Sequence, residues 1–114
     1  MKLRADLDED EGVAYVPVHH GMVSDSLEFE SAVAGGLMMV VADVDTRGRL
    51  VGVELIGETD RIRALLGNPA FWEELAGLAD EAGEPSAADF RRIGTALLDQ
   101  GFDDLFSVRV RGAR

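Results

Sequence analysis

Glu54 is the residue that the sequence marks most clearly for chemistry. It lies in LVGVELI, residues 50–56, where every other position is apolar or glycine. A carboxylate in such surroundings must find a partner or take up a proton. Perturbed carboxylates mark active sites, and they also mark structural ion pairs. The same pattern sets no second acid or base beside Glu54. An ion pair with Arg49, Arg4 or a helix arginine is therefore the first reading, and a ligand pocket around Glu54 the second. Asp43 and Asp45 complete this candidate ligand or ion-pair site. Asp43 falls near the turn end of its strand, where solvation is expected.

Asp6, Asp8 and Asp10 invite a calcium reading, because their spacing matches positions 1, 3 and 5 of an EF-hand loop. Position 6 of that loop would be Glu11 rather than Gly, and position 12 would be Pro17 rather than Glu. The flanks read as strands, so a solvated hairpin turn is expected and no metal site is assigned. His19 and His20 are the only histidines. Adjacent strand residues point to opposite faces and make a poor metal pair, so a surface loop is expected. No serine has a nucleophile-elbow context, and Gly35-Gly36 lacks the lysine and helix of a phosphate loop. Trp72 beside Phe71 reads as core. No cofactor is called for.

These residues hang on one hairpin, residues 37–56. Two apolar, β-branched runs flank Asp45-Thr46-Arg47-Gly48. Asp can bond the backbone ahead of it, and Gly can take the positive φ of a type I turn closed by a bulge. Alternation puts Val51, Val53 and Leu55 on one face of the second strand, and Leu50, Gly52, Glu54 and Ile56 on the other. Neither face is polar along its length, so a central strand pair covered on both sides is expected.

Upstream, residues 2–6 and 13–18 read as a first hairpin around the acidic turn 6–12. Residues 22–31 read as a third strand. Downstream, the apolar period changes to that of helices. Thr59 or Asp60 can cap a helix ended by Gly67. Asn68-Pro69 starts a second, stopped by Gly83. Ser86 with Asp89 suggests a capping box for a third, with the stripe Ala87, Phe90, Ile93, Gly94 and Leu97, stopped by Gly101. Residues 105–111 alternate again as a possible final strand.

The chain has 114 residues, enough for one domain, and 46 % of them are apolar. No apolar run reaches membrane-spanning length, and no secretory signal is visible. With no cysteine there is no disulfide or thiolate metal site, and a cytoplasmic protein is the default. The net charge of −11 disfavours nucleic acid; its first reading is that it keeps the chain in solution, and its second that it attracts a basic protein partner, with no membrane partner expected. Residues 105–114 depart from this balance, with three arginines and no acid.

Two motifs in residues 1 to 57 resemble a bacterial domain-of-unknown-function family, number twenty-two eighty-three. One is a strand, an acidic turn and an aromatic strand: Lys2-Leu3, then Asp6 to Glu11, then Val13-Ala14-Tyr15-Val16. The other is a run built on Asp43, Asp45, Gly48, Leu50, Val51, Gly52, Val53, Glu54 and Leu55. The segment between them, with SAVAGG, departs from the family, and residues 58–114 fall outside the resemblance. It implies a small β-rich domain and, by association with toxin-like neighbours, an antitoxin-type role. It supplies no catalytic residue.

The expected fold is α+β: a mostly antiparallel sheet of about five strands, with about three C-terminal helices packed mainly on one face. The expected function is a non-catalytic protein-binding or regulatory module. The alternative is a small enzyme or ligand-binding protein using Glu54. Three helices cannot cover both sheet faces, so a homodimer is expected, face to face or through edge strands, with residues 106–110 available to cross to the partner; the alternative is a monomer whose first hairpin folds over as a second sheet layer.

Overall fold

The computed structural model describes residues 3–35, 38–100 and 106–109. Five strands come first: β1 (Ala5–Asp8), β2 (Val13–Pro17), β3 (Asp25–Phe29), β4 (Met39–Val44) and β5 (Leu50–Ile56). Three helices follow, α1 (Thr59–Leu66), α2 (Pro69–Ala82) and α3 (Ala87–Gln100), then a short strand β6 (Phe106–Arg109). The sheet order is β3-β4-β5-β2-β1-β6. The first five strands are antiparallel neighbours, and β6 joins β1 in parallel. The fold is α+β, as the change of apolar period implies. The first strand begins three residues later than expected. The final strand pairs with β1 of its own chain, and Leu105, Val110 and Arg111 lie outside the described residues. The first hairpin extends the sheet instead of folding over it.

The β4–β5 hairpin is central, and its turn forms as its residues require. Asp45 Oδ1 accepts the N–H groups of Arg47 at 2.8 Å and Arg49 at 3.0 Å. Gly48 has φ 74° and donates to the Asp45 carbonyl at 3.0 Å. Simple alternation fails one residue into β5. Leu50 pairs with Val44 while Gly52 pairs with Asp43, so Val51 is an extra, bulged residue. The bulge turns Leu50 onto the face of Val53 and Leu55, into the main core. Val51 is left beside the loop after β2, where its carbonyl accepts the N–H groups of Val18 at 2.9 Å and His19 at 3.1 Å.

Helix ends follow local chemistry with two departures. Asn68 caps α2 by accepting the Ala70 N–H at 3.0 Å, Pro69 takes the first turn, and Gly83 closes it in the left-handed region. The N-cap of α1 is Glu58, with no side-chain cap bond, and neither Thr59 nor Asp60. The capping box of α3 gives way to a backbone bond from Asp89 N–H to the Ser86 carbonyl. The Asp89 carboxylate instead meets Arg92 and the Leu50 N–H. Gly101 lies outside the described residues.

All three helices bury their stripes against one face of the sheet. Ile62, Leu66, Phe71, Leu75, Phe90 and Ile93 are fully buried with Leu7, Val16, Val40, Val53 and Leu55. Phe29 meets Phe90 edge to face at 6.1 Å, tying the edge strand to α3. Trp72 is core, as read, and its indole N–H donates to the Leu66 carbonyl at 3.0 Å. Glu74 of α2 accepts the Ala32 and Val33 N–H groups at 2.9 and 3.2 Å and bonds the Ser31 hydroxyl, fastening the turn after β3. Among the described residues no helix is long and apolar enough to cross a membrane.

Candidate functional site

Among the described residues the helices cover one sheet face, and the other carries the candidate site. On this second face β5 presents Gly52, Glu54 and Ile56, flanked by Val13 and Tyr15 of β2 and by Met39, Val41 and Asp43 of β4. The outer strands add Asp6 and Asp8 from β1, and Ser26 and Glu28 from β3. Across β1–β5 this face bears five carboxylates and no lysine, arginine or histidine. Its apolar residues are partly exposed, Met39 the most at 43 %.

Tyr15 is the centre of this surface. It pairs directly with Glu54 and leans diagonally over Gly52. A Cβ built on Gly52 would lie 2.0 Å from the Tyr15 hydroxyl oxygen and 2.3 Å from Cζ. Gly52 is therefore glycine because the tyrosine ring occupies the space of a side chain, an aromatic covering a strand glycine. Asp43 stands opposite Gly52, and its Oδ1 accepts the Ser26 hydroxyl at 2.7 Å. Partial burial, then the charges of Asp43 and Glu54, push the Tyr15 hydroxyl pKa above its ordinary value. Tyrosine stays neutral and offers a donor between two carboxylates.

Glu54 and Asp43 are thus brought to one surface, and Asp45 is not. Asp45 belongs to the hairpin turn, where its Oδ2 accepts the Arg49 Nε at 2.8 Å. The ion pair expected for Glu54 forms at Asp45 instead, and Glu54 has no hydrogen bond or ion pair among the described residues. Asp6 and Asp8 project from β1, while Asp10 sits in the turn beyond it. Among the described residues no three of His, Asp or Glu gather as metal ligands. His19 and His20 are exposed in a loop, as read.

Sequence reasoning missed Tyr15 and the reason for Gly52. A glycine inside an apolar strand was the available signal, since it marks close approach by another group. At the end of the face, a surface groove runs between Glu28 and Glu30 on one side and Met39 and Ile56 on the other.

No family model, no curated protein and no solved structure matches the chain.

Proposed function

We propose that the chain is a non-catalytic protein-binding or regulatory module whose uncovered sheet face receives a basic, partly apolar segment of a partner protein. The observation that supports this is the make-up of that face: Val13, Tyr15, Met39, Val41 and Ile56 interleaved with Glu28, Asp43 and Glu54, with no cation on β1–β5. An exposed apolar surface marks an interaction site, and the carboxylates select a positively charged occupant. Methionine at the groove adapts to varied side chains. An antitoxin-type pairing with a small basic protein, implied by the resemblance noted above, is one form of this function.

The same charges bear on the homodimer. Two copies face to face would oppose carboxylates to carboxylates. A homodimer is better served by β3, which ends the strand order and leaves one edge unpaired among the described residues. The enzyme alternative would need Glu54 in an enclosed pocket, whereas it stands on an open sheet surface.

The test uses two immobilised peptides, one alternating Lys and Leu, the other Glu and Leu. The purified chain should be retained by the first at low salt and released as salt rises, since exposed charges are screened within about 10 Å at 0.1 M. The Asp43→Asn/Glu54→Gln variant should be retained less. Equal retention on both peptides, or no effect of the variant, would count against the proposal.

A further inference from the structure

The groove at the end of the open face has a volume of about 940 Å³. It lies where β3 and β5 end and β4 begins. Val40 pairs with Phe29 and Met39 with Ile56, so the residue after β3, Glu30, comes level with Met39. One wall is apolar and accessible: Met39 is 43 % exposed, and Ile56 beside it is partly exposed. Phe29 and Met38 lie beneath as buried support.

The other wall is Glu28 and Glu30. Residues two apart on an extended chain share a side, and both carboxylates are exposed. Neither makes a hydrogen bond or ion pair among the described residues. Acids elsewhere are engaged: Glu9 with Arg63, Glu73 with Arg91, Asp89 with Arg92, and Glu74 with the turn after β3. Among the described residues no lysine, arginine or histidine lines the groove.

We infer that this groove anchors the partner through one long cationic side chain, a lysine or arginine, with its charged head between Glu28 and Glu30 and its aliphatic stem on Met39 and Ile56. The inference rests on the binding function proposed for the open face and adds the point at which the partner is held. Lysine and arginine lay their methylene stems along apolar surface while the head keeps its charge partners, which is the division between these two walls. Methionine adapts to a stem of either shape. An exposed ion pair alone is weak and takes any cation, so selection here comes from stem and head together.

The test is a titration of the full chain with pentylamine, ethylamine and pentanoate, read by the methyl resonances of Met39 and Ile56. Pentylamine should shift them saturably. Ethylamine keeps the charge with little stem, pentanoate keeps a stem with the opposite charge, and neither should do so. The Glu28→Gln/Glu30→Gln variant should raise the pentylamine dissociation constant about tenfold, since each exposed ion pair is worth up to about fivefold. Met39→Ser should raise it as well. Glu81→Gln, which removes an exposed acid of α2, should leave it unchanged. The basic Lys-Leu peptide should displace pentylamine, and the Glu-Leu peptide should not. Retention of the Lys-Leu peptide without a saturable pentylamine shift would overturn the anchor and leave the function proposed for the face standing. Displacement by the Lys-Leu peptide that Asp43→Asn/Glu54→Gln does not weaken would support the anchor and count against the wider face. Ethylamine binding as tight as pentylamine, unaltered binding by Glu28→Gln/Glu30→Gln, or pentylamine that the Lys-Leu peptide fails to displace would overturn the inference.

Discussion

Replacing Gly52 by alanine tests the packing at the centre of the open face. The new methyl carbon would lie 2.0 Å from the Tyr15 hydroxyl oxygen, 2.3 Å from Cζ and 2.8 Å from Cε1. None of these separations is tolerable, so the ring must swing away from β5. Overpacking of this kind costs about 1–3 kcal/mol. Alanine in a strand is itself better than glycine by about 0.5–1 kcal/mol, which offsets part of the cost. Because Tyr15 is only partly buried, its ring can leave, and a net loss of about 0.5–2 kcal/mol is expected. In a Tyr15→Ala background the clash is gone, and the same substitution should stabilise by about 0.5–1 kcal/mol. The two substitutions should therefore couple by about 1–3 kcal/mol. Urea unfolding followed by Trp72, the single tryptophan, measures all four corners of the cycle. Additive effects within about 0.5 kcal/mol would refute the claim that Tyr15 lies over Gly52.

Tyr15 is also the single tyrosine, so tyrosinate absorbance reads it alone. Its midpoint should lie above that of free tyrosine and fall in Asp43→Asn; because the folded pKa is raised, its stabilising contribution is present below the unfolded value and lost as pH rises through the folded one. The Asp45 carboxyl is held below its ordinary range, first by the Arg49 N–H, then by the Arg47 N–H and the Arg49 guanidinium. That contribution is present above the unfolded pKa and lost as pH falls through the folded one, so Asp45→Asn should flatten the acid limb of the stability profile. Leu55→Ala, on the helix-covered face, should cost about 2–5 kcal/mol, while Ile56→Ala on the open face should cost less than about 1.5 kcal/mol; equal costs would mean that both faces are covered. Light scattering at micromolar concentration should give twice the chain mass of 12.3 kDa if β3 edges join two copies, and a mass near 12.3 kDa would remove the homodimer from the account.

The fold was legible where local chemistry decides it. Asp45 and Gly48 announce the hairpin, Asn68-Pro69 and Gly83 bound α2, and the apolar stripe of α3 is read correctly from its period. Legibility ended where neighbours distant in sequence decide. The bulge at Val51 moves Leu50 into the core, and alternation counted along one strand cannot foresee it. The apolar character of β5 says nothing of the acids beside it: that Glu54 and Ile56 share their face with Asp43, Glu28 and Asp6 only strand order reveals.

The most direct measurement is an amide shift map of the chain titrated with the basic Lys-Leu peptide at low and high salt. Binding on the uncovered face predicts the largest shifts at Tyr15, Val41, Asp43, Glu54 and Ile56, fading together as salt rises. Shifts confined to α1, α2 and α3, or shifts that persist undiminished at high salt, would contradict the proposal that this acidic sheet face is the surface that receives a partner.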